Sequence, residues 1–357
     1  MKNNLRDVRF EMLRIVSMFF IILHHLILHV AIDDYDRISI NLVISQLYLI
    51  GGKVGVNIFL LISGYFGVKG MFRPSKALKI EFQVLFYTVL SIVLGYIFFP
   101  ELISIKSVIQ AFMPTTFNAY WYITAYMALF FASPYINIVA SSISKNKYIF
   151  LLAILFFAES FAPTVLRQRH WASNLVWFVF VYLIGAYIRI YEVGKGTNAK
   201  YLKIASVFSW ILPWIISIVL LIISFRISIL KKYVNVLSTS NYSFFMLAIS
   251  IFMFLVFASM KPVFNIKIQK FSKATLGIYL IQSNPVVSSI LWENIRTLGI
   301  HFMKLWPIYA LILTVIVLLI CYGIEKIREL LFKIFAKKIK YIDMIYKKID
   351  SLWGEEM

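Results

Sequence analysis

Apolar runs of roughly 18–22 residues, the length that spans a bilayer as an α-helix, recur along the whole of this chain. Lipid offers the backbone no hydrogen-bonding partner, so each span must satisfy its own amide groups, as a helix does. A membrane barrel would instead show alternating strands of about ten residues, which this sequence lacks. The runs therefore predict an all-α integral membrane protein.

Composition supports this prediction. Apolar residues make up 61% of the 357 residues and charged residues only 15%, whereas soluble domains have about 45–50% and 25%. A soluble globule and a disordered chain are therefore excluded, and the single cysteine excludes a disulfide scaffold. We predict ten spans: 10–30, 43–66, 80–99, 119–140, 148–165, 172–190, 205–224, 242–260, 273–292 and 305–323.

The basic residues predict the orientation of these spans. With a cytoplasmic N-terminus, the inner segments hold 25 Lys and Arg residues and the outer segments hold 9. Cytoplasmic loops carry the excess of such residues, so both termini are expected inside. The first outer loop is acidic, with Asp33, Asp34 and Asp36, in agreement with this orientation. We expect no cleavable signal peptide and a multi-pass protein of a bacterial cell membrane.

The chain divides into a membrane domain, 1–325, and a basic amphipathic tail, 326–357, which we expect to lie on the anionic inner leaflet. This tail and the inner loops explain most of the net charge of +20, so membrane lipids are the expected partner and nucleic acid is not.

His170 and His301 fall in predicted outer loops without companion ligands, and no metal is expected. The sequence does not indicate an oligomeric state.

The first span carries an unusual set of polar side chains. Arg14 and His25 are eleven residues apart, which places them within ~20° on one helix face and about 16–17 Å apart along the axis. Glu11 lies three residues before Arg14 and can pair with it, and His29 continues the same stripe. His24 is turned away by about 100°. Polar groups inside a span are costly and indicate a functional site, although an interfacial ion pair that orients the helix would explain Glu11 and Arg14 alone.

The Arg14-x10-His25 element, preceded by an acidic residue, resembles the first-helix signature of the acyltransferase-3 membrane family. Four further stretches are similar to family motifs in order and spacing: 55–65 (GVNIFLLISGY), 73–76 (RPSK), 119–134 with its Tyr-Trp-Tyr start and Ser-Pro end, and 277–281 (GIYLI). The resemblance covers about the first 325 residues. One departure is Gln282, where many members carry a histidine.

This resemblance implies transfer of an acyl group, usually acetyl, from cytoplasmic acyl-CoA to a hydroxyl of a glycan or lipid-linked sugar. Bacterial surface-polysaccharide O-acetyltransferases are the most similar subgroup. Some members carry an additional extracytoplasmic domain, which we do not expect here. The expected donor is acetyl-CoA and the expected acceptor a cell-surface or lipid-linked glycan.

Site residues follow from the same reasoning. We expect His25 to act as general base on the acceptor hydroxyl in direct transfer, with an acyl-imidazole on His25 as the less favoured alternative. Guanidinium and ammonium groups suit phosphate, so Arg14, Arg73 and Lys76 are predicted to hold the CoA phosphates, although ordinary inner-loop topology would also explain the last two. Supporting roles are assigned to Glu11, which would orient Arg14, and to four candidate oxyanion donors that could equally be helix-packing residues: Ser63, Trp121, Tyr122 and Gln282.

Two further questions stay open from the sequence. Lys53 follows Gly51-Gly52 in the second span. The glycine pair could break the helix and admit Lys53 to a cavity, but outward snorkelling of the side chain is the favoured interpretation.

A transporter or flippase for a glycan or lipid-linked intermediate, without covalent chemistry, is the alternative function, although repeated halves typical of many transporters are absent from the sequence.

Overall fold

The computed structural model describes residues 7–32, 38–166, 173–227, 230, 233–234, 239–338 and 341–354. The predicted acidic loop (Asp33, Asp34, Asp36) and His170 lie outside these residues. Helices and their connections form the whole described part, which contains no strand. In chain order the helices are α1 (Arg9–Val30), α2 (Ile40–Gly67), α3 (Ser75–Phe98), α4 (Ile105–Phe112), α5 (Trp121–Ser142), α6 (Lys145–Phe156), α7 (Ala162–Leu166), α8 (Asn174–Ile190), α9 (Ala199–Ser224), α10 (Phe244–Ser259), α11 (Ile266–Ser272), α12 (Thr275–Gln282), α13 (Pro285–Thr297), α14 (Trp306–Lys338) and α15 (Tyr341–Gly354).

The prediction of an all-α membrane protein is confirmed. Within the described ranges, seven helical segments are long and apolar enough to cross a membrane. An eighth crossing would be the bent pair formed by Ile266–Gln282 and Pro285–Thr297, which meet at 79°. The apolar helices α8 and α10 have 17 and 16 residues, shorter than a typical span. They coincide with the two remaining predicted spans, so the count of ten stays a prediction.

Helix α1 packs most extensively against α2, and glycines of α2 make this close contact possible. A Cβ atom at Gly52 would overlap the side chain of His24, and one at Gly55 would lie 2.6 Å from the carbonyl oxygen of Ser17. Helix α2 runs unbroken through Gly51-Gly52. The idea that the glycine pair breaks this helix is therefore wrong. These two glycines instead leave room for the side chains of α1.

A break does occur between α12 and α13, next to the predicted site. Asn284 ends the gap, and its side-chain oxygen accepts hydrogen bonds from the backbone amides of Val286 and Val287. Pro285 stands at the first position of α13, where a missing N–H costs nothing. The Asn284 amide also donates to Tyr120 Oη at 2.9 Å, and this bond attaches the break to the start of α5.

Helix α14 continues past Glu325, where the sequence predicts the tail to begin. Glu325 is 1% exposed and accepts hydrogen bonds from Gln83, Tyr87 and Arg328. Beyond it, α15 returns to the start of α3, where Asp350 accepts hydrogen bonds from the backbone amide and hydroxyl of Ser75. The first turn of α3 is thus capped by the end of the chain.

Candidate active site

A cavity of about 200 Å³ lies between α1, α2, α5 and the start of α12. Its lining is apolar for the most part, with a few converging polar side chains, as is typical of small-molecule sites. The lining side chains that carry polar or aromatic chemistry are Arg14, His24, His25, Lys53, Ser63, Trp121, Tyr122, Tyr126, Thr275 and Tyr279. Arg14 and His25 therefore face one common space, as their shared helix face predicts.

Arg14 is held in place by a carboxylate. Its guanidinium donates to Glu11 at 2.9 Å, and Ser272 donates a second, short hydrogen bond to the same Glu11 oxygen. Glu11 itself is 7% exposed, whereas Arg14 remains partly open to the cavity. The predicted Glu11–Arg14 pair thus exists, and it fixes the position of the guanidinium from behind.

His25 has one defined tautomer. Its Nδ1 lies 2.8 Å from Gln282 Oε1, and an amide oxygen can only accept, so Nδ1 carries the proton. The Nε2 atom is then the proton-accepting nitrogen. The Gln282 amide nitrogen lies 2.5 Å from Ser283 Oγ, which fixes the side chain at the break between α12 and α13. Gln282 is therefore an orienting partner of the imidazole.

Lys53 and His24 also line the cavity, although the sequence predicts neither of them there. The Nζ atom of Lys53 lies 5.7 Å from the centre of the Trp121 ring, in cation–π contact. The favoured interpretation of outward snorkelling is thus wrong, because the helix face of Lys53 points at α5 and not at lipid. His24 donates from Nδ1 to the Leu49 carbonyl oxygen at 2.6 Å, and it lines the cavity although it is rotated from Arg14 and His25 on the helix.

The predicted oxyanion donors occupy different positions. Ser63 lines the cavity and donates its hydroxyl to the Phe59 carbonyl oxygen at 2.8 Å. Tyr122 lines it beside Tyr126 and Tyr279, with ring centres 6.0 and 5.8 Å away. Gln282 is occupied by His25 and does not line the cavity.

Arg73 and Lys76 do not line this cavity. Both side chains are exposed at the start of α3. Among the basic residues predicted to hold the donor, Arg14 alone reaches the cavity in the described part of the chain.

A second, wider cavity of about 670 Å³ begins one helix turn beyond His25. His29 lies in its wall and stacks against Trp292, with ring centres 6.3 Å apart and planes within 7°. Its lining is rich in hydroxyl, amide and charged groups, contributed by Ser283, Ser288, Ser289, Glu293, Asn294 and Arg296. The described residues contain no group of three or more His, Cys, Asp or Glu side chains that could hold a metal.

Comparison with protein families shows the family of the chain. The model of the acyltransferase-3 family, described as an acyltransferase domain, matches residues 7–326. The chain belongs to this family. Comparisons with curated proteins and with solved structures give no match. As a family member with several apolar spans, the chain is a multi-pass membrane acyltransferase that acts on an acyl donor and an acceptor.

Sequence reasoning did not assign two basic side chains of this cavity, Lys53 and His24, to the site. The signal for Lys53 was present, since an ionisable residue within a span points by default to an interior site. His24 carried the same signal, but its angular position on α1 faces α2 and not the Arg14 stripe. It reaches the cavity because the facing position of α2 is Gly52, which leaves room for the imidazole.

Proposed function

We propose that this acyltransferase transfers an acetyl group from cytoplasmic acetyl-CoA to a hydroxyl of a cell-surface or lipid-linked glycan, in a bacterial cell membrane. One observation carries the proposal. A single cavity is lined by an anion-binding guanidinium, Arg14, and by an imidazole of fixed tautomer, His25. Group transfer needs both the donor and a base in one space.

The acyl donor would enter the cavity with its thioester end first. One water molecule needs about 10–15 Å³ of such space, so the cavity of about 200 Å³ has room for an acetyl thioester and the reacting hydroxyl. The phosphates would stay at the mouth beside Arg14, and Arg73 and Lys76 would act on the part of the donor that remains outside.

His25 would act as general base. Its Nε2 takes the proton of the acceptor hydroxyl while the hydroxyl oxygen attacks the thioester carbon. The carbonyl electron pair moves to oxygen, and its return expels the thiolate, which takes the proton from His25. Gln282 holds the imidazole in the required tautomer throughout. Ser63 and Tyr122 remain candidates for hydrogen bonds to the reacting groups.

The acceptor would approach through the wider cavity. Its hydroxyl, amide and carboxylate groups suit the hydroxyls of a sugar, and the His29–Trp292 pair offers aromatic rings for stacking. This cavity begins at His29, one helix turn beyond His25 and on the side away from Arg14. The acceptor and donor would thus meet at His25 from opposite directions.

The test measures CoA release by the purified protein in lipid vesicles with acetyl-CoA and surface glycan from the host. Wild-type protein should release CoA and acetylate the glycan, as detected by mass spectrometry. His25→Ala should lower the rate by 10²- to 10⁴-fold while membrane insertion is retained. Wild-type protein that moves glycan across the vesicle without releasing CoA would instead establish the transporter alternative.

The role of Arg14 is tested by donor affinity. Arg14→Ala should raise the KM for acetyl-CoA, because the guanidinium would contact the donor's anionic end. Arg14→Lys should recover part of the affinity as a point charge. Unchanged donor affinity in both variants would remove Arg14 from the donor site.

A further inference from the structure

Lys53 is an ionisable residue of the cavity to which the proposed mechanism assigns no task. It lies in the middle of α2, and its ammonium group is turned toward the ring of Trp121. Within the described part of the chain it has no hydrogen bond and no ion pair. The cavity lining contains no Asp or Glu, and the Glu11 carboxylate, more than three helix turns from His24 along α1, is taken by Arg14 and Ser272.

An unpaired ammonium inside a membrane bundle is costly. Cation–π contact with Trp121 recovers only part of this cost. A negative charge that forms beside the ammonium offsets more of this cost, because opposite charges attract more strongly in a low-dielectric cavity than in water. Lys53 therefore favours a state of the cavity contents that carries negative charge.

His24 gives a second, independent indication of a ligand at this point. It is 1% exposed, and its Nε2 atom has no hydrogen-bond partner in the described part of the chain. Because Nδ1 donates to the Leu49 carbonyl, Nε2 is an acceptor. A buried acceptor without a partner marks a place where a bound group or water is expected. Lys53 and His24 thus offer one cation and one acceptor to the same space.

We propose that Lys53 is a further catalytic residue, which stabilises the oxyanion of the tetrahedral intermediate. This inference rests on the proposed acyl transfer. When the acceptor oxygen bonds to the thioester carbon, the carbonyl π electrons move onto the carbonyl oxygen, and the Lys53 ammonium faces that charge. When the carbonyl reforms, the C–S bond breaks and the charge leaves with the thiolate, which is protonated from His25. In that state His24 Nε2, which has no partner in the described structure, would accept a hydrogen bond from the ammonium and hold it toward this oxygen.

A competing role is recognition of an acceptor that already carries a carboxylate or phosphate. The two roles predict different kinetics. A residue that binds a ground-state anion changes the acceptor KM, whereas a residue that acts only on the transition state changes kcat.

The experiment uses the full-length protein in vesicles and compares Lys53→Met, Lys53→Arg and Lys200→Met. Lys200 is exposed at the start of α9, away from the cavity, and serves as the matched lysine-to-methionine control. Lys53→Met should lower kcat by about 10²–10³-fold, the usual effect of removing an oxyanion donor. The KM for both substrates, and the Kd of S-ethyl-CoA, a thioether without a carbonyl, should stay unchanged. Lys53→Arg should retain part of the rate, and Lys200→Met all of it.

Chemical rescue covers the case in which Lys53→Met fails to fold. The only cysteine in the chain, Cys321, is first replaced by alanine. Lys53→Cys in this background should be inactive, and alkylation with bromoethylamine, which rebuilds an ammonium side chain, should restore turnover. An unchanged kcat in Lys53→Met, a change in acceptor KM alone, or active unalkylated Lys53→Cys would each overturn the inference. Absence of CoA release by the wild type would instead overturn the proposed function itself.

Discussion

At the scale of single residues, the contact between His25 and Gln282 changes what is expected of position 282. From the sequence, glutamine in place of the family's usual histidine predicts a mild effect of substitution. The 2.8 Å hydrogen bond shows that the amide oxygen holds the imidazole proton on Nδ1. Loss of this acceptor frees the ring to rotate and to adopt the wrong tautomer, as with other catalytic histidines whose partner is removed.

We therefore predict that Gln282→Leu lowers kcat by at least tenfold, whereas Gln282→Glu, which keeps an acceptor oxygen, stays much closer to wild type. CoA release at saturating donor and acceptor is the measurement. Thermal stability of both variants provides the control, because leucine fills a similar volume. Equal rates in Gln282→Leu and wild type would show that His25 needs no orienting partner.

At the scale of helices, the α1–α2 contact depends on the absence of a side chain at Gly52. A Cβ there would meet the Cβ and Cγ atoms of His24, which sit close to the backbone and cannot move aside. Gly52→Ala is expected to destabilise the fold by about 1–3 kcal/mol through overpacking. Gly323→Ala in α14 is the matched control, since nothing lies within 4 Å of its added methyl group.

Size-exclusion chromatography after heating distinguishes the two glycine variants. Gly52→Ala should lose its monodisperse peak several degrees below the wild type. Gly323→Ala should match or exceed the wild type, because alanine is the better helix former. A Gly52→Ala protein as stable as the control would mean that α1 and α2 are not tightly packed at His24.

A second prediction concerns the docking of α15 on α3. Partial burial raises the pKa of the Asp350 carboxyl, but hydrogen bonds from Ser75 and the charges of Arg73 and Lys79 outweigh it and leave the pKa below the usual 3.8. A lowered pKa stabilises the docked helix above that value, and the contribution is lost as the pH falls through the still lower pKa of the docked state.

Limited proteolysis near neutral pH measures this docking. Asp350→Ala should be cleaved faster between α14 and α15 than the wild type. Ser351→Ala should not, because the Ser351 hydroxyl bonds only to the Lys348 carbonyl of its own helix. Cleavage of Asp350→Ala at the wild-type rate would show that Asp350 does not hold α15.

At the scale of the whole molecule, the distribution of basic residues predicts the orientation in the membrane. In a Cys321→Ala background, single cysteines at Thr197 and at Lys348 should react with an impermeant maleimide only after permeabilisation. A cysteine at Asn294, in the wider cavity, should react in intact cells. All three positions are exposed in the structure. Reaction at Lys348 in intact cells would reverse the orientation and the proposed direction of donor entry.

The sequence by itself determined the membrane class, the helical fold and the Arg14–His25 stripe. Each of these depends on local properties: run length, the backbone's need for internal hydrogen bonds, and the angle between positions on one helix. Tertiary structure alone decided that Gln282 holds His25, that Lys53 and His24 enter the cavity, and that Arg73 and Lys76 stay outside it. These features depend on contacts between helices far apart in the chain, and such contacts are set by the packing of α1 on α2 and by the break before α13, for which helix periodicity carries no information.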